Sequence, residues 1–302
     1  MSQTPPRATW SQLSFLLALA VCLAGCSLRV DADQFKTSEE KRFPVSGTPE
    51  LSLATFDGSI EIRAWERPEV LVTIEKRARN QEAASKIEVV SEQSGNRISV
   101  EVRRPEGHRG FNIGFNSGSA RLIASVPRQT NLRATTGDGA LEVERITGQL
   151  ELHTGDGTVR GNELAGEVRV HTGDGSIQLD RIQGSVKVES GDGSITVDGK
   201  LSGVQAKSGD GSISVKAREG SAVEEDWTIT TGDGGVTLEL PDRFDADLDA
   251  HTGDGVVRLN NVEVRISGGE LQKQTVRGAI GAGGRTLRVR TGDGSINVTR
   301  NH

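Results

Sequence analysis

The amino-acid sequence predicts an all-β chain: a parallel β-solenoid, or β-helix, of about 18 residues per coil with two short strands in each coil, preceded by an N-terminal β region. Three observations carry this expectation. The tetrapeptide Thr/Ser-Gly-Asp-Gly places its aspartate at Asp138, Asp156, Asp174, Asp192 and Asp210, eighteen residues apart, and returns at Asp233, Asp254 and Asp293. A nine-residue grid of glycines, Gly148, Gly157, Gly166, Gly175, Gly184, Gly193 and Gly211, runs through the same tract, with Ser202 at the remaining point. After most grid points comes an x-apolar-x-apolar strand, as in Leu150/Leu152, Val168/Val170, Ile177/Leu179, Val186/Val188, Ile195/Val197 and Ile213/Val215. Alternation turns these side chains to one side, and stacking coil on coil pairs the strands in parallel at about 4.8 Å.

The elements follow in order. Arg7 and the apolar run Leu13 to Leu23 lead into Leu23-Ala24-Gly25-Cys26. The run is too short for a bilayer-spanning helix, and it resembles a bacterial lipoprotein signal ending in a lipobox. That resemblance implies a signal peptide over residues 1–25, cleavage before Cys26 and acylation of Cys26, so that lipid rather than a span holds the chain to a membrane. A serine after the cysteine, here Ser27, implies transfer to the outer membrane in a Gram-negative cell, with the leaflet not encoded. Residues 26–44 are polar, with little periodicity from Asp31 to Lys41, and are expected to form a tether.

Residues 45–130 change to alternation: Leu51, Leu53 and Thr55, a turn at Asp57-Gly58, then Ile60, Ile62 and Ala64. Further period-2 runs at Val70–Ile74, Ile87–Val89, Ile98–Val102 and Leu122–Val126 read as half-buried strands that pack on the solenoid or continue into it. Only Gln81 to Ile87 suggests a helix, and a short one. The Gly/Asn/Ser-rich stretch 107–119 carries Phe111, Ile113 and Phe115 in alternation. These three are partner-contact candidates on a protruding loop; the alternative is a strand that tucks them against the body.

Residues 131–302 hold the repeats. Ile146, Leu164 and Ile182 recur at the second corner of each coil, and Lys200 followed by Leu201 at the next predicts a one-residue slip there. After Asp210 the motif spacing grows to 23, 21 and 39 residues, so loops are expected to leave the corners. The longest gap reads as a strand, an excursion over Asn260–Arg285 and a glycine-rich return into a last coil, Thr286–Val298. Its final strand, Ile296–Thr299, reads as a sheet edge that is either open to a partner strand or, as is commoner, covered by a loop.

Composition narrows the function. Without residues 1–25 the chain keeps 35 basic residues (36 less Arg7) against 42 acidic ones, a net charge near −7 with the signs interspersed. There is no basic stripe for nucleic acid and no polybasic membrane patch. Cys26 would be the single remaining cysteine, so no disulfide framework forms within one chain. Tyrosine is absent and only Trp65 and Trp227 remain, which disfavours a sugar-stacking platform.

Within the motif, the position three before each aspartate varies (Thr135, His153, His171, Glu189, Lys207, Thr230, His251, Arg290), as a solvent-facing site tolerates. The stacking expected of His153 and His171 suggests metal ligation, but Glu189 and Lys207 continue the column. The next position is always Thr or Ser, and strand alternation points its hydroxyl inward to satisfy turn backbone groups. The glycines beside the aspartate are expected to permit positive φ. Two roles compete for Asp138, Asp156, Asp174, Asp192, Asp210, Asp233, Asp254 and Asp293. Each carboxylate can cap its own turn by accepting backbone N–H groups. Alternatively Asp156, Asp174, Asp192 and Asp210 can hold calcium in the manner of a β-roll. Capping is favoured, because one charge-assisted hydrogen bond, roughly 1.5–3 kcal/mol, outweighs repulsion of about 0.9 kcal/mol between charges 4.8 Å apart in water. No cofactor other than calcium is suggested.

The chain also resembles the bacterial putative-adhesin family of β-strand-repeat envelope proteins over about residues 45–300. The resemblance rests on Phe56-Asp57-Gly58 between Leu51 and Ile62, Ala124-Ser125-Val126-Pro127 before the repeats, Leu238-Glu239-Leu240-Pro241, and Gly283-Gly284-Arg285-Thr286-Leu287-Arg288-Val289. It implies a β-helical fold and a place in the cell envelope, where some relatives are linked to envelope-stress responses, and it supplies no catalytic residues. The expected function is therefore a non-enzymatic, lipid-anchored envelope protein whose solenoid surface binds an unidentified envelope protein or polymer. A calcium-stabilised binding module is the first alternative. A polysaccharide-active β-helical enzyme is the second, although such enzymes gather Asp with Arg, Lys or His in one cleft and here the acids are evenly spread.

Overall fold

In Thr147–Thr154 the inward Leu150, Leu152 and Thr154 are buried while Gln149, Glu151 and His153 between them are exposed, and this alternation repeats along the chain. The computed structural model describes residues 35–103, 118–266 and 272–300; Cys26, the signal segment 1–25 and Phe111, Ile113 and Phe115 lie outside them. The described residues are all-β apart from one short helix. The N-terminal elements are β1 (Phe35–Pro44), β2 (Glu50–Thr55), β3 (Ile60–Trp65), β4 (Glu69–Ala78), α1 (Gln81–Ser85), β5 (Glu88–Ser94), β6 (Arg97–Arg103) and β7 (Ser119–Pro127). The repeats supply β8 (Asn131–Thr136), β9 (Leu141–Glu144), β10 (Thr147–Thr154), β11 (Val159–Asn162), β12 (Ala165–Thr172), β13 (Ile177–Ser190), β14 (Ile195–Ser208) and β15 (Ile213–Ala217). The C-terminal part holds β16 (Trp227–Thr231), β17 (Val236–Leu240), β18 (Ala246–Thr252), β19 (Val257–Asn260), β20 (Val264–Arg265), β21 (Thr275–Ile280), β22 (Thr286–Thr291) and β23 (Ile296–Arg300).

Parallel pairing joins residues eighteen apart. Leu150 lies beside Val168 and Val168 beside Val186 on one face; Leu141 lies beside Val159 and Val159 beside Ile177 on the other. The inward valines, leucines and isoleucines of both faces are buried, each contributing roughly 1.5–3 kcal/mol relative to exposure. The faces meet in one sheet because β13 and β14, 14 residues each, continue around the second corner. At that corner Arg145, Glu163 and Arg181 take left-handed φ of 60°, 55° and 55°, and the buried Ile146, Leu164 and Ile182 plug the bend. The slip expected at Lys200 is present: Ile182 aligns with Gly199, and Leu201 is buried instead.

The first corner requires glycine for a reason other than the expected one. Gly155, Gly157, Gly173 and Gly175 are not among the residues with positive φ. Coils there touch backbone to backbone: a Cβ on Gly157 would lie 2.0 Å from the carbonyl oxygen of Gly139, and one on Gly175 would lie 2.0 Å from that of Gly157. Closeness, not conformational freedom, excludes a side chain.

At the N-terminal end the coil β2–β3 is flanked by β8–β9 on one side and by β6 and β7 on the other. β4 then pairs antiparallel with β7, and β1 with β4. The tether expected through residue 44 is thus corrected for Phe35–Pro44, which form an edge strand with Phe43 buried. An edge strand with one side in water is polar, and Lys36, Glu40 and Arg42 gave the segment its linker-like composition. The helix α1 is as short as expected, capped where Asn80 Oδ1 accepts the Ala83 N–H at 2.8 Å.

At the C-terminal end spatial order departs from chain order. β22 lies between β16 and β18, and β23 between β17 and β19. The last coil is therefore inserted rather than terminal, and the Ile296–Thr299 segment is an inner strand, neither an open edge nor one covered by a loop. β21 runs antiparallel along the far side of β18, and β20 along β21. The 39-residue motif gap supplies enough chain for this return, and the ladder accepts it because Gly292 N–H bonds Gly232 O at 2.6 Å and Gly253 N–H bonds Gly292 O at 2.7 Å.

Candidate binding surface

The motif corner is built around its hydroxyl. Thr154 Oγ1 donates toward the carbonyls of Gly137 and Gly139 in the preceding coil at 3.0 and 2.9 Å and accepts the N–H of Gly157 at 3.3 Å. Thr172 repeats the arrangement with Gly155, Gly157 and Gly175, and Ser190, Ser208, Thr231, Thr252 and Thr291 each keep the bond to the second glycine carbonyl of the coil beside them. Each hydroxyl is buried, so it satisfies groups that water does not reach.

The capping role expected of the aspartates is corrected. Asp138, Asp156, Asp174, Asp192, Asp210, Asp233, Asp254 and Asp293 are exposed, and among the described residues none of their carboxylates accepts a hydrogen bond. At six of the eight, all but Asp138 and Asp233, the Thr or Ser two residues earlier already accepts the N–H after the aspartate. The carboxylate instead lies over the first glycine of the next coil: a Cβ on Gly173 would meet Asp156 Oδ1 at 2.7 Å, and one on Gly191 would meet Asp174 Oδ1 at 2.9 Å. Among the described residues no three His, Cys, Asp or Glu side chains gather where they could hold a metal ion, the four calcium candidates included.

The outward face of the sheet containing β8, β10, β12 and β13 carries ordered rows. His153 and His171 stack with centroids 5.0 Å apart and planes within 2°. Parallel rings direct their nitrogens along parallel planes, an arrangement unsuited to a shared ion. Thr135, Glu189 and Lys207 extend the row, as its variability predicts. Partial desolvation chiefly, then the neighbouring His171 and Arg133, hold the His153 pKa below the usual imidazole value against the pull of Glu151. Beside this row run Arg133, Glu151, Arg169 and Lys187, with Arg133 Nη1 and Glu151 Oε2 at 3.1 Å. Among these side chains a hollow of about 450 Å³ over Glu50, Arg97, Arg133 and Glu151 adjoins one of about 380 Å³ over His153, His171 and Lys187, the two sharing Arg133, Glu151 and Arg169.

Nothing in the sequence pattern identified these hollows, because strand pairing brings their lining together from segments as far apart as Glu50, Arg97 and Arg133. The meeting of Asp249 with Arg277, Arg288 and Arg290 was equally invisible, since it depends on the inserted coil.

A family model described as Toastrack DUF4097 matches residues 49–299. Among solved structures, a putative adhesin from Bacteroides fragilis is 10% identical, with 88% of this chain and 97% of that one covered and a TM-score of 0.45. A putative cell adhesion protein from Clostridium sporogenes is 16% identical over 88% and 100% of the chains, with a TM-score of 0.32. A putative lipid binding protein from Parabacteroides distasonis is 12% identical over 88% and 97%, with a TM-score of 0.40. No curated protein is significantly similar to the chain. The match over most of its length places the chain in the Toastrack DUF4097 family.

Proposed function

We propose that this chain is a non-enzymatic, lipid-anchored cell-envelope protein in which an eighteen-residue β-solenoid presents one outer face to an envelope protein or polymer. The observation that carries the reading is the pair of adjoining hollows along β8, β10, β12 and β13, which offer an elongated surface rather than a cleft of convergent reactive groups. Leu23-Ala24-Gly25-Cys26 supports the anchor, and Ser27 supports the outer membrane as destination in a Gram-negative cell. Phe111, Ile113 and Phe115 remain candidates for a further contact.

The test is crosslinking of the native protein in intact envelopes, comparing the unmodified chain with an Arg133→Glu, Arg169→Glu double variant. An adduct lost in the variant, with unchanged thermal stability, supports the face. The same adduct in both removes it. Membrane fractionation of Cys26→Ala tests the anchor independently: continued sedimentation with the membrane would count against lipid attachment there.

A further inference from the structure

Asp249 on β18 is approached by three guanidinium groups from the strands on either side. Arg277 Nε on β21 donates to its Oδ1 at 2.9 Å, Arg288 Nε on β22 lies 3.6 Å from its Oδ2, and Arg290 on β22 also bonds that oxygen. One carboxylate cannot balance three such charges. Arg290 is further engaged, its Nη1 donating to the Asp249 carbonyl at 2.6 Å and to the Val289 carbonyl at 3.0 Å, and its side chain is 27% exposed. Arg277 and Arg288 differ: their side chains are 70% and 55% exposed, and among the described residues their Nη groups have no hydrogen-bond partner. The carboxylate, itself 21% exposed, holds both by the Nε end, leaving the outer ends of two forks turned toward solvent. The nearest acids on the adjoining row are directed elsewhere. Asp226 Oδ1 accepts the Thr286 N–H at 3.1 Å, and Asp247 Oδ1 lies beside Gly283.

We infer that Arg277 and Arg288, oriented by Asp249, form a binding site for a phosphoryl group. Two planar forks with outward N–H donors match the oxygen geometry of a phosphate dianion, and a locally uncompensated positive charge favours it. Asp249 serves as a positioning residue. The site lies apart from the hollows around Arg133 and stands whether or not those bind a partner.

The test is calorimetric titration of the full chain in detergent micelles with inorganic phosphate at low salt. Saturable binding is expected, weakened at least about tenfold in Arg277→Gln, Arg288→Gln and unchanged in Arg258→Gln, a control on the opposite face. The Arg277→Lys, Arg288→Lys pair keeps the charge without the fork and should fall between. Absence of saturable binding to the unmodified chain overturns the proposal, as does full affinity in either double variant when its thermal unfolding is unchanged. Micelles containing phosphatidic acid, compared with phosphatidylcholine alone, separate the sources. Capture that inorganic phosphate displaces assigns a lipid-borne phosphate, and saturable phosphate binding without such capture assigns a soluble one; both sustain the site. Capture by phosphatidic acid with no binding of inorganic phosphate would indicate surface attraction and overturn it.

Discussion

Gly157 is packed so closely on Gly139 that the smallest side chain at Gly157 would place a carbon 2.0 Å from the Gly139 carbonyl oxygen. Backbone cannot move aside as a flexible side chain can. Gly157→Ala should therefore cost about 2–4 kcal/mol by separating two coils. Gly155→Ala meets its nearest atoms at 2.7 and 2.9 Å, one of them on the exposed Asp138 side chain, and should cost less. Urea unfolding of both variants checks the order; equal losses would refute the contact geometry.

The corner separates a hydroxyl that matters from a carboxylate that does not. Thr172→Val leaves the Gly175 N–H and the Gly155 and Gly157 carbonyls without their shared partner, a loss of roughly 1–3 kcal/mol. Thr172→Ser should be nearly neutral, since Ser190 and Ser208 fill the same place in neighbouring coils. Asp174→Asn should change stability by no more than about 0.5 kcal/mol, with any gain greatest at low salt where carboxylate repulsion is least screened. A large destabilisation by Asp174→Asn would restore the capping role.

Acidification should weaken the fold through His153. Its pKa is lowered in the folded chain, first by partial desolvation and then by His171 and Arg133, so the unfolded chain takes up the proton more readily. The stability associated with neutral His153 is present above the unfolded value of about 6.5 and is lost as pH falls through the lower folded value. His153→Gln should flatten that part of the pH profile, and His171→Gln should raise the His153 titration midpoint in NMR. An unchanged midpoint would show that stacking does not influence the proton.

Deleting residues after Gly284 removes β22 and β23 from between their neighbours rather than trimming an end. The expected result is loss of protection in Val257–Asn260, which pairs with β23, read by hydrogen exchange, with protection retained in β10 to β13 and in the part of β18 that pairs with β21. Continued protection of β19 would contradict the inserted order.

What could be read from residues alone was whatever repeats locally. Eighteen-residue spacing determined the register of Leu150, Val168 and Val186, and the late Leu201 revealed the slip. Spacing does not disclose which coil lies beside which once a loop is long enough to bypass one, so the position of β22 was illegible. Nor does a glycine state its reason: Gly166 has φ 106° and Gly157 does not have positive φ, yet both stand on the same grid. Nor does spacing show which of two acceptors in a motif takes a given N–H: in six repeats the Thr or Ser hydroxyl, not the carboxylate, accepts the one after the aspartate.

The inserted coil also sets an assembly sequence. Growth by simple addition, each new rung templated by the one before, can proceed from β8 only as far as β17. In the stretch that follows, β18 can pair with its own return strand β21, but neither β18 nor β19 joins the stack until β22 and β23 wedge themselves in, a closure across distant segments of the kind that slows folding. Completion of this molecule therefore awaits its tail, and a polypeptide stopped early is not a shorter tower but an unfinished one.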